Sequence, residues 1–572
     1  MKRILWLLPI LFLFALVMPS AAQSATQEAA PSVSPLDWIP ADFSGFVTVD
    51  MSNSQSTLGT LNLTLFTASV LQPTRIRYSQ AQNFDPFFPL TAFDMENASF
   101  TQNVLPWLDN QVIIAYRNLG TDFNANATNT MMIFPATDAL EAANALNAVI
   151  KAQDFLKRET YHDVILYEGD KTSFAFLAAA VISGPTALLR ETIDTMTGNG
   201  HALTADPVYQ QVRAALPPKT VLSAYLAKDA AAHALGVLMS GGSTADPILT
   251  AINESLASLN GDKTPERLLL SGSLDGIGIS VAADTLHTST VTANIVLHTV
   301  DTPDATDTKF DPAVLDLIPR SAMIVQSGTD ASSTATDALY SLPFLNFAGK
   351  ALAAFPVDQP SGQSLSVPTA QDAQTAVSGF LSALKSTVDV QSDLIDKLKG
   401  SYSLALLPRP NDPMPILNTP YDLLLVVKTD SPSAAQAAQT SATKLLAAFT
   451  SPLVSEQLDA QTFQTLRAPD TGESLVSVGA VDNLFVIGTG SAAQLAVDAM
   501  HGDNRLTKQD RWMNLSRNND IPYVYVDVNA FYNTFLPTIG GPAVRPVSQF
   551  GIHSRYLGSN LFELNMQVAL SQ

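Results

Sequence analysis

The sequence predicts an α+β protein of two tandem homologous domains, each a mainly antiparallel sheet with split βαβ-like units and helices packed on one face. Three observations lead to this prediction. One series of landmarks occurs twice along the 572 residues, short alternating runs that are typical of strands dominate each copy, and helical stretches interrupt those runs.

The repeat rests on the order of its landmarks, because each match is weak alone. Segment 37–40 opens the first copy and segment 316–319 opens the second, and both end in Ile-Pro. Further matches follow in the same order: 107–115 with 397–405, 131–134 with 424–427, 193–198 with 497–502, 222–226 with 522–526, and Gly276 with Gly551. The offset between the copies drifts, as loop insertions would produce, since a longer loop costs little closure entropy. So long a repeat indicates two large domains rather than a solenoid.

The predicted boundaries follow from the repeat and from composition. Residues 1–25 are predicted to be a signal peptide, 26–36 a flexible tether, 37–299 the first α+β copy, 300–312 a linker and 313–572 the second copy. Lys2 and Arg3 precede an apolar run that is short of the roughly 20 residues of a spanning helix and ends at Pro19. We therefore expect an exported protein (periplasmic, cell-surface or secreted) with no stable membrane span after cleavage. An uncleaved N-terminal anchor is the alternative.

Within the first copy, strands are predicted at 45–50, 112–116, 131–134, 163–167, 173–177 and 221–226. One helix is predicted to begin at Asp138, which has the capping-box spacing to Glu141, and a second to span 185–197 before Gly198. A strand pair closes each copy, at 277–281 and 289–297 and at 552–556 and 561–570. The copies differ in an extra helical stretch at 230–259 and in a Pro-, Ser- and Gln-rich loop at 355–371.

The composition excludes several classes of function. Hydrophobic residues make up 46% and charged residues 15%, so the chain has ample material for its cores and is not globally disordered. The 31 basic and 52 acidic residues give a net charge of −21, which disfavours binding to nucleic acid and to anionic lipid. With no cysteine, the chain has no disulfide, no thiol nucleophile and no cysteine-ligated metal.

No catalytic, cofactor-binding or metal-ligating residue is predicted, and no cofactor is expected. None of the histidines has the spacing of a metal motif; they are His162, His201, His233, His287, His298, His501 and His553. Two pairs, Ser382 with Lys385 and Ser441 with Lys444, have the spacing of a serine-nucleophile motif. The Ser-Asp-Asn and Lys-Thr-Gly partners of that motif are missing, so we attribute both pairs to chance in alanine-rich helices.

Several further features have both a functional and a structural interpretation. Turn 488–491 precedes a helix and offers amides to an anion, but it lacks the lysine of a phosphate loop. Loop 122–126 has alternating oxygen ligands, but it lacks the glycine and glutamate of a calcium loop. In each case we favour the structural interpretation. Three tryptophans, Trp38, Trp107 and Trp512, are likewise predicted to be core residues. Three aspartates that each precede a proline, Asp206, Asp246 and Asp311, are predicted to cap turns.

The landmarks resemble a known family. The opening 39–42 that leads to Val49 and Asp50, the Pro-Trp-Leu of 106–108, strand 161–167 and the Tyr-Val-Asp-Val of 525–528 are similar to the domain of unknown function 3352 family of exported bacterial proteins. The glycine that usually follows Trp-Leu is Asp109 in the first copy and survives as Gly400 in the second. The resemblance implies a place in the cell envelope, but no activity and no catalytic residues.

We therefore predict an exported, non-catalytic cell-envelope or extracellular protein that binds a partner or ligand or acts as a scaffold. The expected partner is an unknown protein or small ligand, with the groove between the two copies as its candidate place, because pockets favour domain interfaces. One alternative is a hydrolase of cell-wall or extracellular polymer that uses carboxylates not identifiable from the sequence. Another is an exported inhibitor or chaperone-like factor, which would need an exposed apolar face on 230–259.

Overall fold

A computed structural model describes residues 34–52, 104, 106–117, 129–151, 157–169, 172–177, 179–218, 220–228, 230–231, 274–284, 290–300, 310–332, 388–409, 421–449, 453–516, 524–535, 547–558 and 560–570. These residues form one sheet of twenty strands and the helices that cover it. We call residues 35–299 the first unit and residues 312–570 the second unit.

The first unit contains ten strands and three α-helices among its described residues. They are β1 (Gly45–Asp50), β2 (Gln111–Tyr116), β3 (Thr130–Pro135), α1 (Ala139–Lys151), β4 (Lys157–Tyr161), β5 (Val164–Glu168), β6 (Ser173–Leu177), β7 (Ala180–Gly184), α2 (Thr186–Met196), α3 (Pro207–Ala215), β8 (Leu222–Ala227), β9 (Leu274–Asp284) and β10 (Thr290–Thr299). Short 3-10 turns at Pro35–Trp38 and Leu203–Ala205 precede β1 and α3.

The described part of the second unit has a similar series. Its elements are β11 (Ile324–Gly328), β12 (Tyr402–Pro408), β13 (Tyr421–Lys428), α4 (Pro432–Phe449), β14 (Val454–Leu458), β15 (Gln461–Arg467), β16 (Ser474–Val481), β17 (Leu484–Thr489), α5 (Ala492–Met500), α6 (Asp510–Leu515), β18 (Val524–Asp527), α7 (Val528–Phe535), β19 (Val547–Gly558) and β20 (Leu561–Leu570). Short turns lie at Pro312–Leu317, Val390–Leu394, Ile395–Lys397 and Leu506–Lys508.

The ten strands pair in the same order in both units, and every neighbouring pair is antiparallel. The first unit runs β4-β5-β6-β7-β3-β2-β1-β8-β9-β10 across the sheet. The second runs β14-β15-β16-β17-β13-β12-β11-β18-β19-β20. Because β10 pairs with β20, the two units form one continuous sheet with β4 and β14 at its outer edges.

Helices cover both faces of this sheet, so the prediction that they pack on one face is wrong. Helix α1 packs on the face of β2 that holds Val112 and Ile114, whereas α2 and α3 pack on the face that holds Ile113 and Ala115. The second unit divides its helices similarly, with α4 on one face and α5 and α6 on the other. The physical reason is that β2, β3 and β7 are apolar at successive positions, so both of their faces must be covered.

The predicted split βαβ-like units occur in a wide form. Strands β3 and β4, which α1 connects, run parallel with three strands between them, and so do β7 and β8, which α2 and α3 connect. The simplest split unit would have one intervening strand. Here the hairpins β4–β5 and β6–β7 extend the sheet outward and leave the centre to β1, β2 and β3.

Several local predictions are confirmed. Strand β1 has the predicted limits, and β5 and β6 form the predicted hairpin. Asp138 accepts hydrogen bonds from the amides of Leu140 (2.8 Å) and Glu141 (3.0 Å) at the start of α1. Asp206 and Asp311 cap the turns that follow them, through amides two residues later at 2.7 and 2.9 Å.

Three elements of the first unit were not predicted. Strand β4 is an exposed, charged edge strand, so it lacks the apolar alternation that marks a half-buried strand. Strand β7 continues the apolar run of the predicted strand β6, and the pattern does not divide the two. Helix α3 is short, although Asp206 and Pro207 mark its beginning.

Some predictions fall on residues outside the described ranges. These are the leader 1–25, the tether up to residue 33, loop 122–126, Asp246, residues 232–259 of the extra helical stretch, loop 355–371, Ser382, Lys385, His233, His287 and residues 301–309 of the linker. Among the described residues, no helix combines the length and the apolar character that crossing a membrane requires.

Candidate functional site

A cavity of about 280 Å³ opens between the first unit's sheet and helix α3. It lies over β1 and β8, which are neighbouring strands of this unit. The lining residues come from the N-terminal turn, β1, the approach to β2, α3 and β8: Leu36, Phe46, Thr48, Asp50, Asp109, Asn110, Gln111, Tyr209, Val212, Arg213, Leu216, Pro218, Thr220, Ser223, Ala224 and Tyr225.

Three aromatic rings form one wall of the cavity. Phe46 and Tyr225 are direct cross-strand partners in β1 and β8, with ring centroids 6.2 Å apart. Tyr209 of α3 packs against both, at 5.8 Å from Phe46 and at 5.1 Å, edge to face, from Tyr225. Such contacts stabilise a pair by about 0.5–1.5 kcal/mol beyond burial. The cluster therefore holds α3 over the sheet at a fixed place.

The hydroxyl of Tyr225 has no hydrogen-bond partner among the described residues, although the side chain is 2% exposed. Burial, assisted by the Asp206 and Asp275 carboxylates, raises the pKa of Tyr225. The group is therefore a protonated donor at any physiological pH. An unpaired buried hydroxyl is costly, because folding strips it of water without replacement.

Close packing of α3 on β9 is possible because of Gly278. A Cβ at this position would lie 2.3 Å from Val212 Cγ1 and 2.8 Å from Leu216 Cδ1. These two helix residues therefore use the space that a side chain on β9 would fill. The cap at Asp206 and the missing side chain at Gly278 together position the helical wall of the cavity.

The rim of the cavity is polar and carries both signs of charge. Asp50 ends β1 and accepts a hydrogen bond from the Ser52 amide (2.8 Å). Asp109 and Asn110 precede β2, and Asn110 has a left-handed backbone (φ 49°), which asparagine tolerates well. Arg213 of α3 makes no ion pair within the described part of the chain. The rim thus presents two carboxylates and one guanidinium above an aromatic wall.

The second unit has a tryptophan at the corresponding place. Just before α3, the amide of Leu203 donates a hydrogen bond to the carbonyl oxygen of Ile39 at 2.8 Å. Just before α6, the amide of Leu506 donates to the carbonyl oxygen of Ile318, also at 2.8 Å. Counted from these two leucines, Trp512 has the position in α6 that Tyr209 has in α3. Trp512 is 3% exposed, and its ring centroid lies 5.2 Å from that of Tyr525. The larger indole occupies more of the space between helix and sheet.

The glycine-rich turn 488–491 does surround an anion, which is the chain's own Asp422. One Asp422 oxygen accepts hydrogen bonds from the amide and from the hydroxyl of Ser491, both at 3.1 Å. Arg409 lies 3.4 Å from the other oxygen. Gly490 has φ 55°, and a Cβ there would lie 2.2 Å from the carboxylate. The interpretation as a strand-to-helix turn is confirmed.

Several other residues singled out in the sequence lie in the cores or in a helix of the described structure. Trp38, Trp107 and Trp512 are all buried in the cores, as predicted. Ser441 is buried in α4 while Lys444 is exposed, so this pair does not meet in a pocket. Within the described ranges, no three His, Cys, Asp or Glu side chains are grouped as metal ligands.

Two histidines form corresponding surface bridges in the two units. His162, in the turn between β4 and β5, lies 3.2 Å from Asp194 near the end of α2. In the second unit the hairpin turn supplies Asp459 instead, and His501 at the end of α5 lies 2.9 Å from it. The bridge joins the same two elements, with the residue types exchanged between them. Burial lowers the pKa of a third histidine, His298, against the raising effects of Asp275 and Asp206.

No sequence pattern singled out the residues of the cavity. Tyr209 and Tyr225 sit in ordinary amphipathic elements, and Asp109 stood out only as a departure from a family glycine. The Asp-Pro start of α3 is the signal that would have revealed the helix. That β1, β8 and α3 enclose a space follows only from tertiary packing.

The chain belongs to the DUF3352 family of proteins of unknown function, whose family model matches residues 74–554. The resemblance seen in the sequence is thereby confirmed. No curated protein matches the chain.

Among solved structures, the chain is similar to TP0453. Crystal form I is 8% identical, with a TM-score of 0.26, and the match covers 47% of this chain and 81% of TP0453. Crystal form III is 10% identical, with a TM-score of 0.26 and coverage of 50% and 85%. A likeness at this TM-score supports no argument about fold or function.

Proposed function

We propose that this protein is an exported, non-catalytic cell-envelope or extracellular protein that binds a small ligand in the cavity between β1, β8 and α3. One observation carries the proposal: a space of about 280 Å³ with an aromatic wall and a polar rim. Binding sites combine apolar walls with a few convergent polar groups in this way. The volume lies just below the usual range for drug-sized ligands, so a smaller molecule is expected.

The rim suggests the kind of ligand. Asp50 and Asp109 favour a cationic group, Arg213 favours an anionic one, and the aromatic wall favours an apolar body. The unpaired Tyr225 hydroxyl, on a residue that lines the same cavity, is a further donor. A small amphipathic or zwitterionic compound matches these groups best. A ligand or protein partner in a groove between the two units stays a separate prediction.

The proposed location rests on the leader, residues 1–25, whose charged start, apolar centre and small-residue end are typical of secretory signals. We place the protein outside the cytoplasm, as a periplasmic, cell-surface or secreted protein.

We also propose that residues 37–299 and 313–572 are two copies of one domain, joined by linker 300–312. Three features support this: the shared pairing order of ten strands, the backbone hydrogen bonds of Leu203 and Leu506 just before α3 and α6, and the exchanged histidine–aspartate bridges.

The alternative is a polymer hydrolase, and one observation favours it. Asp50 and Asp109 both line the cavity, and paired carboxylates are what glycoside hydrolysis requires. Incubation with cell-wall polymer and assay of released soluble fragments tests this directly. We expect no release. Release that the substitution Asp109→Asn abolishes would establish the alternative in place of the binding role.

Thermal shift and calorimetry test the binding proposal. The full chain without its leader is titrated with small aromatic and aliphatic amines, carboxylates and amino acids. We expect at least one compound to raise the melting temperature. The substitution Tyr209→Trp narrows the cavity, so it should weaken that compound about tenfold or more, which is about 1.4 kcal/mol of binding free energy. Tyr167→Trp, on the β5–β6 hairpin away from the cavity, is the matched control.

Two results would contradict the proposal. One is that no compound of the panel stabilises the chain. The other is that a compound binds Tyr209→Trp as tightly as the unsubstituted protein, which would place its site elsewhere.

A further inference from the structure

Among the described residues, the two units are joined in the sheet by one strand pair, which consists of the last strand of each unit. Strands β10 and β20 pair antiparallel over nine residue pairs, from Thr290 opposite Ala569 to His298 opposite Leu561. The fifth and central pair is Asn294 opposite Asn565.

The equivalence of the two units can be followed across the sheet through directly paired residues. The starting points are Ala115 and Ala405, which match in the repeated sequence. The path of cross-strand partners runs from Ala115 through Phe46, Tyr225 and Gly278 to Val296 in the first unit. It runs from Ala405 through Val325, Tyr525 and Gly551 to Gln567 in the second. The path aligns Gly551 with Gly278, two residues beyond the Gly276 that the sequence comparison suggested.

This path makes Val296 of β10 equivalent to Gln567 of β20. Two residues earlier on each strand, Asn294 is therefore equivalent to Asn565. These two residues are also each other's direct partners across the junction. A position that pairs with its own equivalent marks a two-fold axis, and that axis passes through the centre of the nine-pair ladder. Both observations give the same place independently.

The two asparagines hydrogen-bond to each other across the axis. The Asn565 side-chain amide donates to the Asn294 side-chain oxygen, and Asn294 is 4% exposed. On the opposite face of the same strands, the junction is apolar and buried. Its buried residues there are Val291, Ala293, Ile295, Leu297, Phe562, Met566 and Val568.

We propose that the β10–β20 junction is an isologous interface, in which the two units hold each other as the two subunits of a homodimer would. The partner that the edge of β10 fits is thus a second unit with the same strand order. In this chain that partner is the chain's own second unit. Such interfaces present the same surface on both sides of a two-fold axis. The asparagine pair fixes the register, because a slip by one residue would turn each amide toward the apolar face.

Cutting the chain between the units tests the proposal. A specific protease site replaces part of segment 301–309 of the full chain, and the folded protein is cut and its mass measured under native conditions. We expect the two fragments to remain together at the mass of the uncut chain. In Asn294→Asp/Asn565→Asp, like charges face each other at a partly buried pair, so the cut fragments should separate.

The control is Asn199→Asp/Asn504→Asp, the same chemical change at one exposed position in each unit; its cut fragments should stay together. A second measurement does not depend on separation. Asn294→Leu alone or Asn565→Leu alone should lower the urea midpoint, because the remaining amide loses its partner. The double substitution should restore most of the loss.

Three outcomes would overturn the proposal. The first is separation of the unsubstituted fragments on cutting, which would mean that the connection holds the units together. The second is that the aspartate pair leaves the cut fragments associated. The third is that the change in urea midpoint of the double leucine variant equals the sum of the changes of the two single variants.

Discussion

At the scale of single residues, Tyr225 departs from the rule that buried polar groups have hydrogen-bond partners. Its hydroxyl is buried and unpaired among the described residues, while the phenyl ring packs well against Phe46 and Tyr209. The ring stabilises the fold and the hydroxyl does not. A group kept at a cost beside a cavity is consistent with a role in the ligand binding proposed above.

We predict that Tyr225→Phe leaves the protein as stable as before or more stable. The substitution keeps the ring and removes a hydroxyl whose desolvation costs about 1–3 kcal/mol. Urea unfolding of the unliganded chain measures the change in free energy. The control is Tyr161→Phe, which removes a hydroxyl that donates to Asp194 at 3.0 Å and should lower stability by about 0.5–1.5 kcal/mol. A clear loss of stability in Tyr225→Phe would mean that its hydroxyl has a partner.

A second prediction concerns Asp422, the internal anion of turn 488–491. The residue is 2% exposed and accepts two hydrogen bonds from Ser491. Asp422→Ala should lower the free energy of unfolding by about 1–3 kcal/mol, because the amide and hydroxyl of Ser491 lose their acceptor. Chemical denaturation measures this, with the exposed Asp470→Ala as a control that should stay within about 0.5 kcal/mol. Equal effects of the two substitutions would disprove the capping role.

At the scale of elements, the sequence predicted most strands of the first unit well and the placement of helices poorly. Alternation and turn residues locate β1, β5 and β6, since those signals are local. The face that a helix covers depends on which strands neighbour each other. The signal that helices lie on both faces was present in the unbroken apolar runs of β2 and β3, but it is visible only once those strands are known to be central.

We predict that Gly278→Ala displaces α3 and disturbs the cavity. The added Cβ would lie 2.3 Å from Val212 Cγ1, so either this side chain must shift or helix and sheet must move apart. We expect a loss of about 1–3 kcal/mol in unfolding free energy, which is typical of overpacking. Gly502→Ala is the matched control, because nothing lies within 4 Å of its added Cβ. Denaturation of both variants checks the prediction, and equal stabilities would contradict the tight packing of α3 on β9.

At the scale of the whole molecule, net charge dominates the electrostatics. The chain carries −21, and like charges spread over one folded body repel each other. Salt screens this repulsion over about 10 Å at 0.1 M ionic strength.

We therefore predict that the melting temperature rises when sodium chloride is increased from about 0.01 M to about 0.3 M, where the screening length falls severalfold. Calorimetry at pH 7 measures the effect, and the same series with potassium chloride separates general screening from specific binding of sodium. A melting temperature that falls with salt would show that favourable ion pairs outweigh the net repulsion.

The sequence by itself determined most strands of the first unit, the buried tryptophans, the aspartate caps and the family to which the chain belongs. These features are local, since periodicity, capping and core-forming composition act within a few residues. Only the tertiary structure decided that helices cover both faces, that Asp422 is the anion of the glycine-rich turn, and that β1, β8 and α3 enclose a cavity. It also decided that Asn294 meets Asn565. Those facts depend on contacts between residues far apart in the chain, which no local pattern encodes.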